Sequence, residues 1–170
     1  ESDAQRFMEV LPKRFARFGL SVNPEKTSLV NFSRRATGNR IKRGQSTFDF
    51  PGFTHYRGKT RNGYYVIKRK TAKKRLSRFM KRLWTWCRDN RHMTLKEQYK
   101  ILSAKLRGFC QYYGVRCNYE ALSKVCEFAS RARRYRLSRR CHKGKVIWKN
   151  FVATLKRMFP FPKPRIVHNI

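Results

Sequence analysis

The sequence predicts an α+β chain: a small β-hairpin unit followed by an α-helical bundle of three main helices. Three observations carry that expectation. The run FDFPGFTHYR alternates apolar and polar residues, RNGYYVIKRK follows it, and the Asn62-Gly63 pair between them is a hairpin signal. After Lys70 the apolar period changes from two to 3.6, the mark of amphipathic helix. Three such stripes then succeed one another over short connections, and they can bury their apolar faces only against each other.

The elements follow in order. Residues 3–18 set Phe7, Leu11, Phe15 and Phe18 at steps of three or four, with Arg and Lys between them, and Pro12 marks a kink or the first turn of a second part. Asn23-Pro24 signals a turn, and Leu29–Phe32 reads as a short strand. From Ser33 to Gln45 the chain is polar, with Gly38, Gly44 and five basic residues (Arg34, Arg35, Arg40, Lys42 and Arg43), which predicts a loop. Beyond the hairpin, Thr71 is placed to cap a helix with Leu76, Phe79, Met80, Leu83 and Cys87 on one face. Lys74, Arg78, Lys81, Arg82 and Arg88 point away from that face. Thr94 and Glu97 form a capping box opening a second helix through Ile101, Leu102, Leu106, Phe109 and Cys110. Asn118 is placed to cap a third, striped by Ala121, Leu122, Val125, Phe128, Ala129 and Ala132. Val146–Phe159 predicts a shorter fourth helix, and the proline-rich PFPKPRIVHNI predicts an extended segment draped over the surface. The expected organisation is thus 1–70, a small α+β unit; 71–159, a helical unit; and 160–170, an extended tail. Residues 1–70 hold too few strands to stand alone and read as the end of a larger domain that begins before Glu1.

Charge narrows the partner. Against 43 Lys and Arg stand 9 Asp and Glu, a formal charge of +34 on 170 residues, while 40% hydrophobic and 14% aromatic content excludes a disordered basic tail. A polyanion is expected to neutralise such a field, and each phosphate contact adds affinity by releasing condensed counterions. No run of about 18 apolar residues, signal peptide or lipidation motif points to a membrane. The five cysteines, Cys87, Cys110, Cys117, Cys126 and Cys141, form no CxxC pair, and Cys141-His142 has no second ligand pair, so no metal site is expected. Reduced core thiols fit a cytoplasmic, nucleoid-associated location. The run RARRYRLSRR extends a basic helix, and Arg131, Arg133, Arg134 and Arg136 are expected to contact phosphates along with Lys74, Arg78, Lys81 and Arg82.

Two further motifs carry specific chemistry. LRGFCQYYGV combines Arg107, Gln111, Tyr112 and Tyr113, which can bond to or stack on nucleotides, with Gly108, which costs a helix about 1 kcal/mol and so suggests close approach by a helix or a nucleic-acid backbone. Core packing of Tyr112 and Tyr113 is an equal alternative. In FDFPGF, Phe48, Phe50 and Phe53 are expected on one side and Asp49 on the other, with Pro51 at an edge or bulge, and the aromatic core of a hairpin is an equal alternative role for each Phe.

GLSVNPEKTSLVNF, FDFPGF, LRGFCQYYGV and PFPKPRIVHN resemble, in that order, the C-terminal part of bacterial group II intron-encoded reverse transcriptase/maturases. The resemblance covers nearly the whole chain. It implies the last elements of the palm of a right-hand polymerase followed by an α-helical thumb, the maturase-specific X domain. It implies that Lys26 corresponds to a palm lysine near the departing pyrophosphate, a general acid only in a complete enzyme. It also implies that Phe48, Phe50, Pro51, Gly52 and Phe53 correspond to a primer grip, with Pro51 where the family usually has Leu. A polymerase needs carboxylates holding two metal ions about 4 Å apart, whereas Asp3, Asp49 and Asp89 are scattered and no YADD-like box occurs. No polymerase activity is therefore expected from this chain alone, and Mg²⁺ is expected only with the missing catalytic palm. The implied partners are structured RNA, above all group II intron RNA, or an RNA/DNA duplex, together with a separate N-terminal reverse transcriptase portion. The rival class is a non-catalytic, non-specific RNA- or DNA-binding structural protein.

Overall fold

The computed structural model of the protein describes residues 2–30, 32, 47–140 and 146–168. The expected loop Ser33–Gln45 and the Cys141-His142 pair lie outside the described residues. The fold is α+β, with a three-stranded antiparallel sheet and five helices among the described residues. None of these helices is long and apolar enough to cross a membrane. The chain divides into two compact units, Glu1–Thr47 and Phe48–Ile170.

In the first unit, α1 spans Ser2–Ala16 with Pro12 inside it. It ends as a left-handed glycine dictates. Gly19 has φ +68°, its N–H donates to the Ala16 carbonyl (3.1 Å), and the Leu20 N–H donates to the Phe15 carbonyl (3.1 Å), which satisfies the last carbonyls of the helix. The helix buries no residue, and Phe7, Phe15 and Phe18 of its apolar stripe are exposed. The strand expected at Leu29–Phe32 is not formed at Leu29, Val30 or Phe32, and Asn31 lies outside the described residues. Alternation alone makes no strand, because a strand exists only when its backbone groups pair with a neighbour.

The second unit begins within β1 (Thr47–Phe50), which lies side by side with β2 (Phe53–Lys59) and β3 (Tyr65–Thr71) in sequence order. Pro51 is neither at a bulge nor in a strand. It joins Gly52, at φ +91°, in the tight turn between β1 and β2, where proline pre-sets the first corner and glycine supplies the positive φ of the second. The β2–β3 register runs from Phe53 opposite Thr71 to Lys59 opposite Tyr65. Its connection closes where Asn62-Gly63 predicted: Gly63 has φ +82° and donates to the Thr60 carbonyl (3.2 Å).

Helices α2 (Lys73–Asp89), α3 (Leu95–Tyr113) and α4 (Tyr119–Leu137) form the bundle. Its core joins Leu83 and Cys87 of α2, Leu102, Leu106, Phe109 and Cys110 of α3, and Leu122, Val125, Ala129 and Ala132 of α4. The Thr94–Glu97 capping box is present in both directions. Hydrogen bonds from Thr94 hold the Glu97 carboxyl below its ordinary value. A depressed carboxyl stabilises the fold above its unfolded pKa and loses that contribution as pH falls through the folded one. We therefore expect Thr94→Ala to lower the melting temperature by about 3–5 °C near pH 7. The gap between the two proteins' thermal melts should narrow as pH falls from about 5 to 3, leaving the part due to the Glu97 N–H bond to Thr94 Oγ1. A gap that is constant over this range would rule out the carboxylate as its source.

The other two expected caps are different from the sequence reading, and for one reason. Ala72, not Thr71, is the N-cap of α2, and Asn118, though at the N-cap of α4, makes no side-chain cap bond. The two side chains are each other's partners. Buried Asn118 accepts from the Thr71 N–H (2.9 Å), donates to Thr71 Oγ1 (2.8 Å) and donates to the Tyr113 carbonyl (2.7 Å). This knot, together with an Ala72 N–H to Gly52 carbonyl bond (2.9 Å), fastens the hairpin to the bundle. The hairpin accordingly falls in the helical unit, and the compact units divide at Thr47/Phe48 rather than at 70/71.

The expected fourth helix opens as α5 (Trp148–Asn150) and passes straight into a π-helical stretch, Phe151–Lys156, with Phe151 buried. From Pro160 the chain is irregular, and it meets the bundle through a parallel bridge between Val115 and His168. The Gly114 carbonyl accepts from the Val167 N–H (2.7 Å) and the His168 N–H (2.9 Å). A β-carbon on Gly114 would overlap the Cys110 carbonyl and approach the Arg165 carbonyl to 3.0 Å, so only glycine admits the segment so closely.

Candidate nucleic-acid interface

On α2 the basic residues Lys74, Arg78 and Arg82 recur every fourth position, and Trp86 continues their row at the edge of the apolar stripe, where it also packs against the core. All three cations and Lys81 are exposed. Arg78, Lys81 and Arg82 line a groove of about 570 Å³ with Trp86 and with Lys105 of α3. The Lys105 ammonium lies 5.9 Å from the Trp86 ring. The groove's one acid, Asp89, is already paired with Arg88 at 2.8 Å. Four cations around a half-exposed indole can meet consecutive phosphates while the ring accepts a base or sugar face. Trp86 and Lys105 are the residues that sequence reasoning missed. The signal was available in the tryptophan that keeps phase with a basic stripe.

LRGFCQYYGV divides three ways around α3. Leu106, Phe109 and Cys110 enter the core. Arg107 and Gln111 turn to a separate groove of about 450 Å³, shared with Lys163 and Arg165 of the C-terminal segment, and the Gln111 carbonyl lies 2.7 Å from the His168 ring. Lys105, Gly108 and Tyr112 share a third face by their spacing. Gly108 is exposed, and a β-carbon there would meet nothing within 4 Å, so no helix among the described residues requires it.

Tyr112 and Tyr113 bring the two aromatic motifs together. The exposed Tyr112 donates its hydroxyl to the Pro51 carbonyl (2.9 Å), and Phe53 packs on both rings, at 5.9 and 5.2 Å between centroids. The Tyr113 hydroxyl lies 3.1 Å from where a Gly52 β-carbon would stand. Burial and the neighbouring Tyr112 raise the Tyr113 pKa. Phe48 stacks on His55 (4.6 Å), while Phe50 is exposed, and Asp49 accepts from Thr54 Oγ1 (2.5 Å). The tyrosines thus serve packing and remain partly accessible at the foot of the Pro51-Gly52 turn.

The arginine run is not a uniform solvated face. Arg131 is exposed and pairs with Glu127 at 3.6 Å. Arg133 follows Ala129 by one turn on the buried stripe, is 2% exposed, and donates to the Leu95 carbonyl (3.1 Å). It therefore faces the interior side of α4 rather than the solvated face on which the sequence placed it. Arg134 donates to the Val146 carbonyl (3.2 Å) beneath the Trp148 ring, and Arg136 lies 4.3 Å from the Trp84 ring. Arg140 donates through two nitrogens to the carbonyls of Arg91 and Met93, in the connection between α2 and α3.

Lys26 lies in the first unit, exposed, on a turn organised by Asn23, whose Oδ1 accepts from the N–H groups of Glu25 (3.0 Å) and Lys26 (3.2 Å). Among the described residues no three His, Cys, Asp or Glu side chains gather to hold a metal. Burial raises the Cys87 thiol to about 11 and is the largest cause raising Cys126 to about 12, so these thiols are not nucleophiles near neutral pH. No family model matches the chain, and the comparisons with curated proteins and with solved structures likewise found no match.

Proposed function

We propose that the chain is a nucleic-acid-binding protein that holds structured RNA, or an RNA/DNA duplex, by shape and charge. More particularly, it acts as the last palm elements and thumb of a group II intron reverse transcriptase/maturase, assisting splicing of the intron RNA and holding template-primer in the full-length protein. The observation that carries the reading is the α2/α3 groove, where Arg78, Lys81, Arg82 and Lys105 surround Trp86. The tyrosine-held turn at Pro51-Gly52 supports the narrower part, since it joins two of the four segments that carry the resemblance. A-form grooves offer little readable sequence to side chains, so phosphate and 2′-hydroxyl contacts dominate such binding.

A salt titration of binding to group II intron RNA and to an unrelated duplex tests both levels. Binding should weaken steeply and linearly in log–log form, with a slope of several units. Failure to bind either RNA at low salt would overturn the nucleic-acid reading. Equal affinity for both at every salt concentration would leave the non-specific structural protein and overturn the maturase reading.

A further inference from the structure

We propose that the cavity between α4, α5 and the C-terminal segment is a subsite for one unpaired nucleotide of the bound nucleic acid, with its base against the aromatic walls and its phosphate held by Arg133 and nearby lysines. The inference rests on the nucleic-acid reading above. The cavity measures about 560 Å³, within the range of small-ligand sites, and Trp148, Phe159 and Phe161 wall it.

Arg133 lines this cavity and is 2% exposed, yet among the described residues no carboxylate pairs with it. Among the described residues its Nε has no hydrogen-bond partner, and its polar contact is the Leu95 carbonyl. Burying a guanidinium without an anion is costly. The rings of Phe159 and Phe161, at 5.7 and 5.5 Å, compensate in part. Desolvation accordingly pulls the Arg133 pKa below its ordinary value. The exposed Lys156 and Lys163 add positive charge to the lining, and the one acidic lining residue, Glu127, is paired with Arg131. An anion therefore completes the site, and the aromatic walls ask that it carry a flat ring. A nucleotide has both, but only an unpaired one can leave its stack to enter.

Two hairpin RNAs with equal numbers of phosphates, one fully paired and one with a short unpaired end, provide the test. The wild type should bind the second about tenfold more tightly, the effect of one stacked base. Trp148→Leu, at a residue 43% exposed, should remove the gain and Lys156→Gln should reduce it, with affinity for the paired hairpin unchanged in both. Equal binding of the two RNAs by the wild type, or a gain that survives in both variants, overturns the subsite while the broader reading stands on the paired hairpin. No binding of the paired hairpin overturns that reading first. A free nucleoside monophosphate that binds alone at micromolar concentration, and does so only with Trp148 intact, would reassign the cavity to a soluble nucleotide and also overturn the proposal.

Discussion

Replacing Asn118 by Ala is expected to lower the melting temperature by about 10–15 °C, the largest stability effect of any single polar change in the second unit. The residue is 1% exposed and satisfies three groups from two elements, β3 and α3. Alanine removes these three hydrogen bonds and leaves the Thr71 N–H and the Tyr113 carbonyl short of a partner in a dry site. Such losses cost about 3–4 kcal/mol together. The preceding residue, Cys117, is held at φ +74°, a conformation that a non-glycine side chain resists, and the knot helps to hold it there. Asn118→Asp keeps the acceptor but buries a charge without the two donors and should destabilise at least as much. Thermal melts with amide exchange on β3 are the measurement. Exchange there should accelerate before that of α3. A shift below about 3 °C would show that the knot does not fasten the hairpin.

Changing Arg78, Lys81, Arg82 and Lys105 together to Gln is expected to lower RNA affinity about 10²- to 10³-fold near physiological salt and to flatten the log–log salt slope by up to about 3.6 units, near 0.9 for each lost phosphate contact. The fold should be untouched, because the three α2 cations and Lys105 are exposed and none supports the core. The contrasting set is Arg134 and Arg140, whose guanidinium groups hold backbone carbonyls. Their replacement by Gln should lower the melting temperature and leave the slope of whatever folded protein remains nearly unchanged. Isotherms at several salt concentrations, beside thermal melts, separate the two sets. Equal loss of slope in both would mean that charge acts as a diffuse field and that the groove is no particular site.

The helical stripes were legible in the sequence because burial and period coincide. Leu83, Cys87, Leu106, Val125 and Ala132 lie where a 3.6-residue repeat puts them. The hairpin turn was legible from Asn62-Gly63, and the α3 cap from Thr94 and Glu97, since both depend on neighbours in sequence. Thr71 and Asn118 were misread because their bond spans 47 positions, and a residue that can cap locally looks the same when a distant partner claims it. Pro51 was placed at an edge or bulge because the alternation of apolar residues runs on across the turn. The site was half legible. Charge located the basic face of α2, but helical period also put Arg133 on the buried stripe beside Ala129, and the weight of surrounding arginines concealed this. Trp86 went unremarked because it serves both sides at once, packing against the core while it lines the basic groove.

The connection between α2 and α3 behaves as a small cage of oxygens filled by the chain's own tethered cations. The carbonyls of Arg91 and Met93 receive Arg140, that of Leu95 receives Arg133, and the Gln98 amide closes the ring on the Asn90 carbonyl at 2.9 Å. Positive charge in this protein is therefore of two kinds with different substitution rules. In the groove a lysine can stand for an arginine, because a phosphate needs only a nearby charge. In the cage it cannot, because one ammonium does not have the planar fork that reaches two fixed oxygens at once. Drift in sequence should exchange lysine and arginine freely along α2 and keep arginine at 140, so the fold would outlast the loss of much of its formal charge.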